Sequence, residues 1–339
     1  MSSIASQVPI IGVVGATGNQ GSGVIRALLA STTPDGGLWH VRGITRDPNS
    51  NNAQRFLADN QTPDQRLSLV PGDVYDQSSM TSAFAGAYGV FAMTSERNAG
   101  RILENEQEMK HEVEAGRNMV LAAEACGVKH FVFSSLPDMQ KATGGRYTHL
   151  YHMDNKFEVE RFARERIEGR LTCLIPGFFY PNLAWPQYTD RGSDEVVRFR
   201  IPIPSDQVAQ WTDPVYDMGE FAAKVFRLGI EATRAKTYLV LSSRVTPNEM
   251  VQTFTKVTGI PAIHDPISPE RFGELTAPFV GPAFERDATE MMQWAAEAPA
   301  NKICYGAFPE DWDTSFEELG LKASSFEEWL VRSAWRGPE

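Results

Sequence analysis

Ile10-Ile-Gly-Val-Val14 runs straight into Gly15-Ala-Thr-Gly18-Asn-Gln-Gly21, and Val24, Ile25, Leu28 and Leu29 follow at helical spacing. An apolar strand, a glycine turn and an amphipathic helix in that order build a dinucleotide-binding start; glycines without that context carry far less. Gly15 lets the chain turn sharply out of the strand. Gly18 leaves room for a pyrophosphate to approach the backbone, and Gly21 lets the helix pack close to the sheet. The helix aims its free N–H groups and the positive end of its dipole at the phosphates. Thr17, Asn19 and Gln20 add side-chain donors. The competing reading is a strand, turn and helix that bind nothing.

The end of the second strand names the cofactor. His40-Val-Arg-Gly-Ile-Thr45 reads as that strand, and Arg46 follows it. An acidic residue here suits the ribose 2′-OH of NAD, whereas an arginine suits a 2′-phosphate. NADP(H) is therefore expected over NAD, with an ordinary solvated charge as the alternative role for Arg46. Asp47 precedes Pro48 and reads as a turn residue.

Strands and helices alternate downstream. A helix around 53–59 precedes a strand at 67–70, a short helix at 78–84 precedes a strand at 89–93, and a long helix spans about 104–125 before Gly127 closes it. Strands follow at 130–134 and 171–175, with a helix at 154–166 between them. Such alternation implies parallel β-α-β units. Past Pro176 prolines crowd in, which predicts irregular structure above the sheet. One more strand is expected at 237–241, a helix at 247–258, and only helices and loops beyond it. Ser325-Phe-Glu-Glu328 is a capping box that opens a last helix. The expected fold is α/β: a Rossmann-type doubly wound parallel sheet with a smaller, mainly helical and irregular C-terminal lobe. Residues 1–177 form the dinucleotide-binding domain, joined by the strand returning near 237–241, and 178–339 form the lobe.

Candidate chemistry sits at the strand ends, where ligands of such sheets bind. Asp73 and Val74 follow the third strand, where Asp73 either accepts from an adenine amino group or serves its own turn. Met93 and Thr94 end the fourth strand and are expected along the adenosine ribose. Ser134 and Ser135 end the fifth, either bonding a substrate carbonyl or satisfying nearby backbone. Tyr180 and Asn182 follow the sixth and are candidate contacts of the nicotinamide; the aromatics there serve equally as core of the lobe. None of the nine lysines has a tyrosine four positions earlier, so a Tyr-x-x-x-Lys proton-transfer pair is absent. The nearest match is His152-Met-Asp-Asn-Lys156. Lys156 is expected on the nicotinamide ribose hydroxyls. His152 is either a proton donor, since imidazole titrates near pH ~6.5, or a polar residue at a helix start.

The balance of 32 basic against 43 acidic residues gives a net charge of −11, with no basic stripe. Direct nucleic-acid binding is not expected, because it needs such a stripe. No apolar run is long enough to span a bilayer, and the first nine residues lack the pattern of a signal peptide. Cys126, Cys173 and Cys304 are widely spaced and read as thiols in a reducing compartment, cytoplasmic or nuclear. No His/Cys cluster has metal-ligand spacing. A monomer or homodimer is expected.

Gly15-Ala-Thr-Gly-Asn-Gln-Gly21, Thr45-Arg-Asp-Pro48, Gly72-Asp73, Ser134-Ser-Leu-Pro-Asp138, His152-Met-Asp-Asn-Lys156-Phe-Glu-Val-Glu160 and the Phe179-to-Asn182 turn resemble the NmrA-like family of atypical short-chain dehydrogenases/reductases. The G-x-x-G-x-x-G spacing is typical of that superfamily. The resemblance covers nearly the whole chain and is clearest over 10–183. It implies a Rossmann domain that holds NADP or NAD, reports redox state and acts through protein partners. Other relatives are NADPH-dependent reductases that use a lysine without the tyrosine. Two functions therefore stand: first a redox-sensing regulator, and second a reductase of a small carbonyl, enone or imine, using Lys156 and His152, with Phe178, Phe179, Tyr180, Trp185 and Tyr188 walling the pocket.

Overall fold

A computed structural model describes residues 8–98 and 100–338. Most of the opening stretch that was read for a signal peptide falls outside the described residues.

The glycine turn comes where the sequence places it. Strand β1 (Ile10–Val14) leads through it into α1 (Asn19–Ala30). Then follow β2 (His40–Thr45), α2 (Asn51–Asn60), β3 (Leu67–Pro71), α3 (Gln77–Phe84) and β4 (Gly89–Met93). The expected long helix is shorter: Glu106–Lys110 is a 3-10 turn, and α4 covers His111–Ala125. A capping box opens that turn, with the Glu108 carboxylate accepting the backbone N–H groups of Glu104 and Asn105. Next come β5 (His130–Ser134), the single-turn α5 (Met139–Ala142), α6 (Tyr151–Ile167) and β6 (Leu171–Pro176).

The proline-rich stretch holds the short strands β7 (Phe178–Phe179), β8 (Thr189–Arg191), β9 (Val197–Phe199) and β10 (Trp211–Thr212), and a 3-10 turn at Tyr180–Ala184. Helices α7 (Tyr216–Leu228) and α8 (Ile230–Thr233) lead to β11 (Thr237–Val240) and α9 (Pro247–Thr258). Beyond α9 the expectation of helices and loops alone is corrected. β12 (Ala262–His264) pairs parallel with β9, and β13 (Lys302–Ile303) pairs antiparallel with β14 (Phe308–Pro309). Strands of two or three residues are too short to leave a periodic signal. Helices α10 (Pro269–Val280), α11 (Glu285–Glu297), α12 (Ser315–Leu319) and α13 (Phe326–Ser333) complete the chain, and the Ser325 capping box opens the last.

Seven strands form one parallel sheet in the order β11-β6-β5-β4-β1-β2-β3. Successive connections run in opposite directions from β1, so the strand order reverses between β1 and β4. A crevice opens there at the carboxyl ends of the strands. One sheet face packs on α1 and α7 through Val24, Ile25, Leu28, Phe221 and Phe226. The other packs on α3, α4 and α6 through Met80, Met119, Val120 and Val159. A third apolar cluster joins Tyr180, Tyr188, Trp211, Phe254, Phe272 and Trp329 above the strand ends.

His130, in β5, is fully buried against the ring of Phe226, 4.9 Å between centroids. Thr172 gives its hydroxyl proton to Thr233 O, and Thr233 gives its own to Gly229 O. Both hydroxyl oxygens are thus left to accept from His130 Nε2, 3.2 Å from each. Nδ1 has no hydrogen-bond partner among the described residues, and burial pushes the imidazole pKa down to about 3, which keeps the ring neutral. In the unfolded chain it titrates near ~6.5. Its contribution to stability is full above that pH and is eroded as pH falls from ~6.5 to about 3, because the unfolded state then binds the extra proton. Urea midpoints are expected to drop between neutral pH and pH ~5, and the drop should be shallower in His130→Gln.

Candidate active site

The crevice is a cleft of about 460 Å³ that starts at the glycine turn. Gly18, Asn19 and Gln20 line one end, Met93, Thr94, Ser134, Ser135, His152 and Lys156 its floor, and Phe178, Trp185, Tyr188, Phe272 and Phe284 its far wall. The near end fits a dinucleotide. Gly15 has a φ of +70°, and a Cβ on Gly21 would run into the Gly15 carbonyl. No side chain caps the N-terminus of α1 at Gly18. Gln20 Oε1 and Ser134 Oγ are buried with no hydrogen-bond partner among the described residues. The uncapped helix start offers N–H donors that a phosphate would complete, and Gln20 Oε1 and Ser134 Oγ could each accept from the hydroxyls of a ribose.

The expected cofactor residues divide into groups. Gly15, Thr17 and Gly21 shape the turn itself. Arg46 and Asp73 lie exposed just past the neighbouring strands β2 and β3, with Val74 beside them. Asp73 Oδ1 accepts the N–H of Tyr75 at 3.0 Å, within its own turn. Val74 O is bonded by Asn118. Asn182 lines the cleft. Tyr180 does not, and that expectation is corrected. It is fully buried, stacked 5.7 Å from Trp211 and 5.2 Å from Trp329, and its hydroxyl donates to Ser324 O. A ring that large at that depth is core of the lobe, not a cofactor contact.

Lys156 and His152 sit one turn apart on α6, and each is held by a carboxylate the sequence did not single out. Lys156 Nζ donates to Glu112 Oε1, on α4, and also to His152 O at 3.3 Å. Thr94, at the end of β4, donates to the same Glu112 oxygen at 2.6 Å. Glu112 is fully buried. Burial pulls the Lys156 pKa down, but Glu112, then Glu96 and Asp287, outweigh it, and the ammonium is held above its ordinary range. An ammonium has three N–H donors. Two are used, and the third is available to the cleft.

His152 Nδ1 lies 2.5 Å from Asp287 Oδ1, and its backbone N–H donates to Asp287 Oδ2 at 2.7 Å. One turn earlier His149 does the same to Glu290, with Nδ1 at 2.6 Å and N–H at 2.8 Å. Helix α6 begins at Leu150, which offers no side-chain cap. Carboxylates from α11 therefore supply the cap, where the helix dipole favours them. Asp287 accepts the Nδ1 proton, which leaves Nε2 as the nitrogen presented to the cleft. Burial lowers the imidazole pKa, Asp287 raises it more, Lys156 lowers it, Glu96 raises it, and the net shift is upward. Glu96 also lines the cleft; burial raises its carboxyl, but Lys156, a backbone N–H, His152 and Arg97 together bring it below its usual range. Among the described residues no group of His, Cys, Asp or Glu could hold a metal ion, and no helix is long and apolar enough to cross a membrane.

Comparison with known proteins agrees with this geometry. The sequence profile of the NmrA-like family matches residues 8–330. An NmrA-like family domain-containing oxidoreductase, malD of Malbranchea aurantiaca, is 30% identical over 259 residues, 74% of this chain and 73% of malD. Among solved structures, the negative transcriptional regulator NmrA in complex with NAD superposes with a TM-score of 0.74 at 19% identity, over 95% of this chain and 94% of that one. The NADPH-dependent quinone oxidoreductase QOR2 of Escherichia coli, solved with NADPH, gives 0.67 at 20% identity, over 96% and 100%. At these identities the likeness to solved structures is one of fold.

Replacing Asp287 by Asn removes the negative charge but keeps an acceptor at Nδ1. His152 is expected to titrate below its wild-type value in Asp287→Asn, followed by the imidazole resonances in NMR across pH. An unchanged titration would show that Asp287 does not set the charge of His152.

Proposed function

The chain belongs to the NmrA-like family of NAD(P)-binding oxidoreductases, and from that premise we propose that it is an NADPH-dependent reductase of a small carbonyl, enone or imine. The observation that supports this reading is the open space beyond the floor of the cleft. Past Ser134, His152 and Lys156 the cleft continues into an aromatic wall formed by Phe178, Trp185, Tyr188 and Phe284. A largely apolar cavity with a few convergent polar groups is what a small-molecule substrate requires. The names of curated relatives such as malD, an oxidoreductase, support the same choice.

Arg46 at the end of β2 favours the 2′-phosphate of NADP(H). The turn at Gly15–Gly21 with Asn19 and Gln20 receives the pyrophosphate, and Lys156 uses its third N–H on the nicotinamide ribose. When bound, NADPH supplies a hydride to the substrate carbon. His152, as the imidazolium, delivers the balancing proton from Nε2 to the substrate heteroatom, or to the α-carbon of an enone, while Asp287 keeps the Nδ1 proton in place and favours the charged ring. The product leaves with one new C–H bond and one new X–H or α-C–H bond, and His152 regains its proton from water. Because Asp287 keeps the acid form of His152 present above ~6.5, turnover is expected to persist at neutral pH and to fall as pH rises through the His152 pKa.

The test is a panel of aromatic and aliphatic ketones, enones and cyclic imines, each followed by loss of NADPH absorbance. His152→Phe is expected to lower kcat about 10²-fold or more, Lys156→Ala to lower it with weaker NADPH binding, and Arg46→Ala to raise Kd for NADPH but not for NADH. Turnover undiminished in Lys156→Ala defeats the assigned roles. A panel that oxidises no NADPH, with NADP⁺ and NADPH altering oligomeric state or partner binding, returns the protein to the regulator reading.

A further inference from the structure

Four of the buried polar side-chain atoms without a hydrogen-bond partner among the described residues belong to residues that line one cleft: Gln20 Oε1, Ser134 Oγ, and both Nε2 and Oε1 of Gln187. Buried polar groups are normally paired, so each exception asks for a missing partner. The first two lie at the glycine turn and at the end of β5, within reach of a dinucleotide. Gln187 lies elsewhere. It is fully buried in the turn between Trp185 and Thr189, on the lobe side of the cleft. Its backbone is fixed, because the N–H groups of Tyr188 and Thr189 both bond Trp185 O, at 2.9 and 3.1 Å. Its side chain forms no hydrogen bond at either end, so turning the amide toward a ligand breaks none.

We propose that Gln187 is a specificity-determining residue, and that the substrate carries a primary amide or a lactam beside its reducible group. The inference rests on the reductase reading and adds the substrate class. A primary amide offers one donor and one acceptor side by side. Its full partner has a C=O and an N–H on the same edge. Lactams and primary amides have that edge. An open-chain secondary amide is trans and points the two groups in opposite directions. A carboxylate has two acceptors and would set one against Oε1. The flanking rings of Trp185, Tyr188, Phe178 and Phe272 line the same part of the cleft and suit a flat apolar body around that edge. In a dry site the pairing discriminates strongly, because an analogue without the N–H leaves the Gln187 oxygen unpaired.

Two flat probes isolate the N–H. Carbostyril is a fused aromatic lactam, and coumarin is its lactone counterpart, with a ring oxygen where the N–H was. Titration calorimetry on the full chain saturated with NADP⁺ measures both without any turnover. Carbostyril is expected to bind at least about tenfold tighter than coumarin, and in Gln187→Leu the ratio should fall to near one with coumarin binding retained. Equal affinities in the wild-type protein, binding of neither probe, or a lactam preference that survives in Gln187→Leu each overturn the proposal. The wild-type comparison stands without the variant. A lactam preference in a protein that oxidises no NADPH would retire the reductase reading alone, and turnover without a lactam preference would retire this proposal alone.

Discussion

A buried ammonium beside a buried carboxylate is the constraint on which the site depends. Glu112 has no exposure, and a lone charge at that depth costs several kcal/mol in lost hydration. Lys156 neutralises it, and Thr94 adds a hydroxyl to the same oxygen. The three residues come from α6, α4 and the end of β4, so the pair fixes two helices and a strand end against each other at the mouth of the crevice. Its attraction in turn fixes what surrounds it. Lys156 keeps its charge, one of its donors remains available to the cleft, and the Glu96 carboxyl is drawn below its usual range beside it.

The parts of this protein that were legible in the sequence are those governed by neighbours along the chain. The Gly15–Gly21 turn, the alternation of strands and helices, the capping box at Ser325 and the proline opening α9 each depend on a few adjacent residues. The residues that complete the site do not. Glu112 lies 44 positions from Lys156, and Asp287 lies 135 from His152. An acid on an otherwise apolar helix face was the one sign Glu112 could have offered. Asp287 offered none, because Glu285, Asp287 and Glu290 read together as an ordinary solvated helix start. Tyr180 failed in the opposite way. Its place after β6 was right, but backbone position does not say which way a ring turns, and the stack of Trp211 and Trp329 decided it.

The cleft draws its walls from both ends of the chain. The glycine turn and the strand ends form one side, Lys156 and His152 of α6 give the floor its basic groups, and the segments after β6 supply the aromatic wall and, from α11, the carboxylate behind His152. This division matches the reversal of strand order between β1 and β4, which opens a gap that only a second layer can cover. Gln20, Ser134 and Gln187 leave polar atoms unpaired among the described residues in that cleft.

The clamps between α6 and α11 have a consequence for the newly made chain. The carboxylates that cap α6 are among the later segments of the sequence to be synthesised, while the cradle at Gly15–Gly21 is among the first. A ribosome-bound chain therefore makes the strand, glycine turn and helix at residues 10–30 well before it has the carboxylates that hold the start of α6. The entry of α6 is thus ordered by contacts that form only once the last third of the chain has emerged.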